Sequence, residues 1–343
     1  MSTRFPVVHY RWDVDKTYIQ TDFDSVRDLL RMWRQRAEDK TNIPGAPALL
    51  RELLASDDRA RRVSFISGSP RQMREVLMKK FELDGIQPST LVLKPNLGNL
   101  LQLKLRDVHN QVGYKLDALL TLRTPGESEF LFGDDSEQDA LIYSLYADLI
   151  RGAIPADELQ EFLTLAGLYP AAVERLMRRY LSQASGDGQV ERIFIHLDRR
   201  SPVQRFVHYG WQVVPVYNWF QAAVVLKSMG QLELDSLSRI AAAMATRGYD
   251  ARRLATSIRD MIRRGYVDPD AFERLNTRTQ AREEAHVHPI LREALAMVRA
   301  LPLTRYAEAV VRDAPPDYRA IFEGARWRRV ARTQQGRPWL HES

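Results

Sequence analysis

Short apolar segments that end in polar residues alternate with amphipathic stretches over roughly the first 145 residues of the chain. Four of these segments are predicted to be strands: Pro6 to Trp12, Arg62 to Ile66, Ser89 to Leu93 and Glu129 to Phe132. Alternation of this kind is typical of βαβ units, in which helices connect parallel strands and cover the faces of one sheet. We therefore predict an α/β fold with a doubly wound parallel sheet.

The second half of the chain is predicted to be richer in helices. A helical insertion is expected at about residues 146–186, after which Val190 to Leu197 and Trp211 to Val216 resume the sheet. Trp219 follows in a dense aromatic cluster and is interpreted as core. Three regions are predicted: a core domain at residues 1–230, an all-helical C-terminal region at 231–325 and a basic tail at 326–343.

The composition narrows the class of protein and its partners. No apolar run approaches the roughly 20 residues that span a bilayer, and the N-terminus lacks the apolar segment of a signal peptide. The chain has no cysteine, which excludes disulfides and thiolate chemistry, and together these features favour a cytoplasmic protein. A net charge of +6 permits an anionic partner without selecting among phosphorylated metabolites, lipid surfaces and nucleic acid. We interpret the basic tail as a solvated terminal segment, with peripheral contact to an anionic membrane as the alternative.

Two carboxylates follow the first predicted strand. Asp13 and Asp15 are two residues apart in Asp13-Val14-Asp15-Lys16-Thr17, so continued strand geometry would place both side chains on one face. Such a pair suits a nucleophile and a general acid, and it attracts a divalent cation. Because Asp-x-Asp also occurs in ordinary acidic loops, this motif alone does not decide the function.

A hydroxyl group and a lysine follow in chain order. Ser67 comes directly after the second predicted strand and beside a glycine, where a hydroxyl can hold a phosphate oxygen. Ser69 is the alternative, since a one-residue change in the end of the strand would exchange the two. Lys115, at a predicted helix start, would offset charge on a transferring phosphoryl group. Lys94 and Lys104 are competing candidates for that role.

A cluster of carboxylates follows the fourth predicted strand. Asp134 lies in Gly133-Asp134-Asp135, and Asp139 precedes the next helix, where it would alternatively serve as an acidic helix cap. Carboxylate oxygens are the hard ligands that Mg²⁺ prefers, so Asp134 and Asp139 are predicted to bind it together with Asp13. In an open parallel sheet the four segments would converge at the carboxyl edge, where ligands bind.

These four segments, in this order, resemble the motifs of the haloacid-dehalogenase-like (HAD) class of phosphatases. A narrower resemblance is carried by Asp13-Val14-Asp15-Lys16-Thr17, Pro44-Gly45-Ala46-Pro47, Ile66-Ser67-Gly68-Ser69-Pro70, Tyr114-Lys115-Leu116 and Gly133 to Asp139 with Ile142-Tyr143. These motifs are similar to the catalytic domain of the actin-patch phosphatidate phosphatase family, which is distantly related to lipins. The resemblance covers about residues 7–150, together with the strands between residues 190 and 216.

The resemblance implies a HAD-like Rossmannoid fold and an Mg²⁺-dependent reaction through an aspartyl-phosphate. Asp13 would attack phosphorus, while Asp15 would protonate the leaving alkoxide and later activate water. Ser67 and Lys115 would hold the phosphoryl oxygens. The implied metal ligands are Asp13, the backbone carbonyl of Asp15, Asp134 and Asp139. Phosphatidate or another phosphorylated lipid is the first expectation for the substrate. Lys16 and Asp135 depart from the family, which more often has Asp and Ser there, but neither change removes a catalytic group.

Two alternative functions fit the same residues. A non-catalytic phosphate-sensing scaffold would bind its partner through the helical half of the chain. A phosphatase acting on nucleic-acid ends or phosphoproteins would keep the chemistry and change the substrate. His286 and His288 are interpreted as a polar helix entrance rather than as a metal site. His196 and Asp198 would approach the active site only if their strand joins the same sheet.

Overall fold

The computed structural model describes eight stretches of the chain. They are residues 7–21, 36–55, 59–94, 108–136, 138–183, 189–270, 287–300 and 314–324. Lys104, His286 and the basic tail at 326–343 lie outside the described residues. Within them, no helix has the length and apolar character needed to cross a membrane.

The strands of the described residues form one parallel sheet. They are β1 (Val8–Trp12), β2 (Arg61–Pro70), β3 (Thr90–Lys94), β4 (Ser128–Asp134), β5 (Gln189–His196) and β6 (Val213–Val216). Their order is β3-β2-β1-β4-β5-β6, so the chain builds outward from β1 first in one direction and then in the other. The predicted doubly wound α/β fold is confirmed, including the return to the sheet after the helical insertion.

Helices connect the strands and extend the chain beyond them. They are α1 (Ala46–Leu54), α2 (Arg74–Leu83), α3 (Val108–Leu122), α4 (Asp139–Ile150), α5 (Ala156–Leu165), α6 (Pro170–Leu181), α7 (Trp219–Ser228), α8 (Leu234–Ala245), α9 (Ala251–Arg263) and α10 (Pro289–Arg299). The predicted helix start at Lys115 was wrong, because α3 already begins at Val108. His288 caps α10 by accepting the N–H of Ile290, as a polar helix entrance does.

Aromatic side chains cover one face of the sheet at its centre. Trp12, Phe132 and Phe194 are cross-strand neighbours on β1, β4 and β5, and their rings stack at centroid distances of 4.2 and 5.1 Å. Helices α1, α2 and α7–α10 share one apolar core with these rings. The predicted C-terminal helical region therefore packs on the same core as the sheet, while the division of the chain into domains stays a prediction.

The opposite face of the sheet is covered by α3–α6 and by the segment 314–324. Polar side chains of β1 are buried beneath these helices. Arg11 donates to both carboxylate oxygens of Glu129, at 2.5 and 2.7 Å, and Tyr146 donates to the same carboxylate at 2.9 Å. Nε2 of His9 lies 2.7 Å from the hydroxyl of Ser64. Buried charges require such partners, so the pairing accounts for two polar positions in an otherwise apolar strand.

In its described residues, the connection from β4 to β5 contains three helices rather than one. Helix α4 runs back along the sheet, and α5 and α6 form a hairpin whose second helix packs against α3. At the tip of this hairpin, Leu168 lies so close to α3 that a β-carbon at Gly113 would be 2.9 Å from its Cδ2. The tip of the hairpin thus contacts α3 at Gly113, two residues before Lys115.

Candidate active site

The carboxyl ends of β1, β2 and β4 meet at one edge of the sheet. Asp13 follows β1 directly, and its N–H donates to the carbonyl of Phe132 at 2.8 Å, which fixes it beside β4. Asp134 is the last residue of β4, and Ser67 lies near the end of β2. Asp13, Asp134 and Ser67 are fully buried. Because β2, β1 and β4 are adjacent and parallel, the residues that follow them meet at one edge, as predicted.

Three buried carboxylates form a cluster at this edge. Asp13, Asp134 and Asp139 each offer an oxygen, and these oxygens lie within 4.8 Å of one another. Asp139 stands in the first turn of α4, and its Oδ2 accepts the N–H of Asp134 at 3.2 Å. Three negative charges held away from water need compensating positive charge. Hard oxygen donors in this number suit a divalent cation such as Mg²⁺.

Gly133 allows Asp139 to approach the end of β4. A β-carbon added at Gly133 would lie only 2.6 Å from Cβ of Asp139, and Oδ2 of Asp139 would be still closer. Non-bonded atoms do not pack at such distances, so a glycine is required at position 133, immediately before Asp134 and against Asp139. The close approach of Asp139 therefore explains why the motif has a glycine directly before Asp134.

Lys115 supplies positive charge to the carboxylate cluster. Its Nζ lies 2.5 Å from Oδ1 of Asp139 and 3.1 Å from Oδ1 of Asp13, and its side chain is 1 % exposed. Lys115 is therefore in contact with the nucleophile candidate, as its predicted role requires. The competing candidate Lys94 lies instead over the ring of Tyr114, 5.6 Å from its centroid.

Ser67 and Ser69 both bind Asp15. Each hydroxyl donates to Oδ2 of Asp15 at 3.0 Å. The predicted end of the strand at Ile66 was wrong, since β2 continues to Pro70 with an irregular register after Ser67. Residues two apart in a strand share a face, so both hydroxyls reach the same carboxylate. Which of the two holds a phosphate oxygen stays a prediction.

The segment after Asp13 folds into a tight loop. The N–H groups of Tyr18 and Ile19 both donate to the carbonyl of Val14, at 2.9 and 2.8 Å. The hydroxyl of Thr17 donates to Oδ2 of Asp13 at 3.3 Å. Lys16 adopts a φ of 61°, in the left-handed region. This loop turns Asp13 toward Lys115 and Asp15 toward the two serines.

Three further residues contribute to the site, and two of them, Lys40 and Trp219, were not predicted from the sequence to be site residues. Lys40 is buried at 4 % exposure beside Asp15, and burial lowers its pKa although the negative charge of Asp15 opposes that shift. His196 and Trp219 bind carbonyls of the loop after Asp13. His196 had been expected near the site only if its strand joined the sheet, which β5 does. No sequence pattern around Lys40 or Trp219 indicates that either residue lies at the site.

Asp135 and Asp198 support the loops around the cluster. The carboxylate of Asp135 accepts the N–H groups of Arg199 and Ser201 at 2.8 and 3.0 Å, so it anchors the loop after β5. Asp198 lies in that loop, with Oδ2 3.3 Å from Nζ of Lys16. Of the two adjacent acidic residues, Asp134 belongs to the carboxylate cluster and Asp135 does not.

Residues 12–156 match the family described as phosphatidate phosphatase APP1, catalytic domain. Neither the curated proteins nor the solved structures contain a significant match to the chain. The matched segment contains all the residues singled out above from the motifs: Asp13, Asp15, Ser67, Lys115, Asp134 and Asp139. Residues 12–156 therefore match a phosphatase catalytic domain, which confirms the resemblance that the motifs predicted.

Proposed function

We propose that this protein is an Mg²⁺-dependent phosphoric monoester hydrolase of the HAD-like class, with Asp13 as its nucleophile. The observation that carries the proposal is the contact between buried Asp13 and Lys115, beside the carboxylates of Asp134 and Asp139. The proposed nucleophile, the ammonium of Lys115 and a set of hard oxygen donors then lie together at one edge of the sheet. Phosphatidate or another phosphorylated lipid is the proposed substrate, on the strength of the family match.

In the first half of the reaction, a carboxylate oxygen of Asp13 bonds to phosphorus while the bond from phosphorus to the ester oxygen breaks. The leaving alkoxide takes a proton from Asp15. The hydroxyls of Ser67 and Ser69 orient the carboxyl group of Asp15 through their bonds to Oδ2. Lys115 offsets the negative charge that gathers on the phosphoryl oxygens, because an ammonium group with three donors can contact a phosphate as well as Asp13.

In the second half, Asp15 removes a proton from water, and the water oxygen attacks phosphorus. The bond from phosphorus to Asp13 breaks, which releases inorganic phosphate and restores the carboxylate. The same residue thus donates a proton in one half and accepts one in the other, as general acid–base catalysis permits. Thr17 keeps Asp13 in place through its hydrogen bond to Oδ2 in both halves.

The donor set fits a magnesium ion. Asp13, Asp134, Asp139 and the backbone carbonyl of Asp15 would hold it, since these are hard oxygen donors and three of them are buried carboxylates. When bound, Mg²⁺ would offset the negative charges of nucleophile and phosphate and so ease their approach.

The nucleophile is tested by comparing Asp13→Asn with the unchanged protein. Mg²⁺-dependent release of phosphate from p-nitrophenyl phosphate is expected to fall by at least about 100-fold, because the amide cannot form the acyl phosphate. Asp117→Asn is the matched control, since Asp117 is partly exposed and pairs with Arg179 of α6 rather than with the carboxylate cluster. Equal rates for Asp13→Asn and the unchanged protein would overturn the assignment. Acid-quenched protein should carry a phosphoryl group on the peptide that contains Asp13.

The substrate is tested with phosphatidate, lysophosphatidate, nucleotides, sugar phosphates and phosphopeptides, each with Mg²⁺ and with chelator. Phosphatidate is expected to give the highest kcat/KM, and chelator should remove the activity. A higher kcat/KM for a nucleotide or phosphopeptide would overturn the lipid assignment and leave the hydrolase intact. Tight binding of phosphorylated ligands with no turnover of any would support the scaffold alternative instead.

A further inference from the structure

Two ring N–H groups bind consecutive carbonyls of the loop that follows Asp13. Nδ1 of His196, at the end of β5, lies 3.0 Å from the carbonyl oxygen of Lys16. Nε1 of Trp219, at the start of α7, donates to the carbonyl oxygen of Thr17 at 2.9 Å. A carbonyl only accepts hydrogen bonds, so Nδ1 of His196 carries the hydrogen. The two donors therefore hold adjacent peptide units of the loop.

The two rings are themselves held rigidly. They stack on each other with centroids 5.5 Å apart and planes 25° apart. Trp219 is fully buried, and its ring packs at 5.0 Å from Trp12 and 5.8 Å from Phe132. Since Trp12 precedes Asp13 and Phe132 precedes Gly133, the pair of rings is fixed to the same two strand ends that carry the carboxylate cluster.

The loop needs support where the rings bind it. Lys16 has a φ of 61°, a conformation that its β-carbon disfavours and that a lysine does not adopt by its own preference. The bond from His196 acts on this residue, and Lys16 follows Asp15 directly. The bond from Trp219 acts on Thr17, whose hydroxyl binds Asp13. Each ring donor therefore binds a residue that is directly connected to a proposed catalytic carboxylate. His196 acts on the neighbour of Asp15, and Trp219 acts on the residue that hydrogen-bonds to Asp13.

We propose that His196 and Trp219 are positioning residues that hold Lys16 and Thr17 in place, so that Asp15 is aligned to protonate the leaving group. The inference rests on the proposed hydrolase function and deepens it. The ring N–H groups of His196 and Trp219 bind backbone carbonyls and not the carboxylates of the cluster. Their effect is transmitted through the backbone of the loop.

The dependence of rate on the leaving group tests this role. Phenoxide is a basic leaving group that needs a proton, whereas p-nitrophenoxide leaves readily without one. Displacement of Asp15 should therefore slow hydrolysis of phenyl phosphate more than that of p-nitrophenyl phosphate. A variant that merely reduces the folded fraction lowers both rates by the same factor. Both esters form the same phosphorylated Asp13, so kcat/KM, which covers only the steps up to release of the alcohol, reports the leaving group. The ratio of the two kcat/KM values thus separates positioning from stability.

His196→Phe keeps an aromatic ring for stacking but removes the donor, and it is expected to lower kcat/KM for phenyl phosphate about tenfold more than for p-nitrophenyl phosphate. His196→Asn places an amide donor near the same point and should restore the ratio. Asp15→Asn provides the reference for complete loss of the proton donor.

Trp219→Phe tests the second donor independently and should shift the ratio in the same direction. Parallel loss on both esters in His196→Phe and Trp219→Phe would overturn the positioning role while leaving the hydrolase assignment in place. Failure of His196→Asn to restore the ratio would overturn it as well. No hydrolysis of either ester by the unchanged protein would instead overturn the proposed function, and this inference with it.

Discussion

Nζ of Lys115 lies 3.1 Å from Oδ1 of Asp13, and both side chains are buried. The same ammonium lies 2.5 Å from Asp139, so one positive charge contacts two members of the carboxylate cluster. A divalent cation held by those oxygens would lie close to the ammonium and be repelled by it. Lys115 is therefore expected to favour phosphate binding while weakening the binding of the metal.

Replacement of Lys115 by methionine should separate these two effects. Without the ammonium, the affinity for Mg²⁺ should rise by at least about tenfold, because a like charge within a few ångströms is removed from a buried site. The kcat should fall by about 100-fold or more, since the charge that offsets the phosphoryl oxygens is lost. Isothermal titration calorimetry measures the first quantity and phosphate release the second.

Lys79→Met is the control for this comparison. Lys79 is 51 % exposed and pairs with Glu82 on α2, so its removal should change neither quantity. Weaker Mg²⁺ binding in Lys115→Met than in the unchanged protein would show that the ammonium does not oppose the metal.

Gly133→Ala should damage the carboxylate cluster. The new β-carbon would lie 2.6 Å from Cβ of Asp139, and the end of β4 or the start of α4 would have to move. We expect the free energy of unfolding to fall by about 1–3 kcal/mol, as for other overpacked sites, and activity to be lost with it. Gly68→Ala is the control for stability, since a β-carbon there would meet nothing within 4 Å. Equal denaturation midpoints in urea for the two variants would contradict this account.

The sheet and its proposed active edge were predictable because mostly apolar segments are followed by short polar stretches. Trp12 ends β1 directly before Asp13, and Phe132 is followed by Gly133 and Asp134, with which β4 ends. The helical patterns between them require parallel connections, which bring those ends to one edge. The position of the carboxylate cluster follows from these local patterns.

Contacts between distant parts of the chain explain what the sequence could not predict. Helix α3 was expected to start at Lys115, but it begins at Val108 and includes Gly113, where Leu168 of the hairpin occupies the space that a β-carbon would need. The extension of β2 past Ser67 depends on pairing with β3. Trp219 was interpreted as core, which it is, but its bond to Thr17 joins residues 202 positions apart.

Tyr318→Phe should destabilise the protein without affecting catalysis. The hydroxyl of Tyr318 donates to Oδ2 of Asp148 at 2.6 Å and attaches the segment 314–324 to α4. Loss of a buried hydrogen bond to a charged group should lower the free energy of unfolding by about 1.5–3 kcal/mol. The kcat should be unchanged, because Asp148 is about 13 Å along α4 from Asp139.

Urea denaturation and phosphate release check this pair of expectations. Tyr169→Phe is the matched control, since the side chain of Tyr169 is 78 % exposed and its hydroxyl is in solvent. Indistinguishable stabilities for Tyr318→Phe and Tyr169→Phe would show that the bond to Asp148 does not hold the segment in place.

His9 should make the stability of the protein sensitive to acid. Burial, together with the positive charges of the nearby Arg11 and Arg62 guanidinium groups, lowers the pKa of His9 from 6.5 to about 2. Below pH 6.5 the unfolded chain therefore binds a proton that the folded chain does not take up until about pH 2. Stability is consequently lost as the pH falls through this window, and the contribution of His9 is fully present only above it.

His9→Gln should remove this dependence while keeping a donor near Ser64. Between pH 6.5 and pH 5 the unchanged protein should lose about 2 kcal/mol more stability than His9→Gln does, at about 1.4 kcal/mol per pH unit. Urea unfolding of both proteins at pH 7 and pH 5 measures the difference, and other titrating groups cancel in the comparison. The same loss in both proteins would mean that His9 accepts its proton in the folded state, which its burial beside two guanidinium groups opposes.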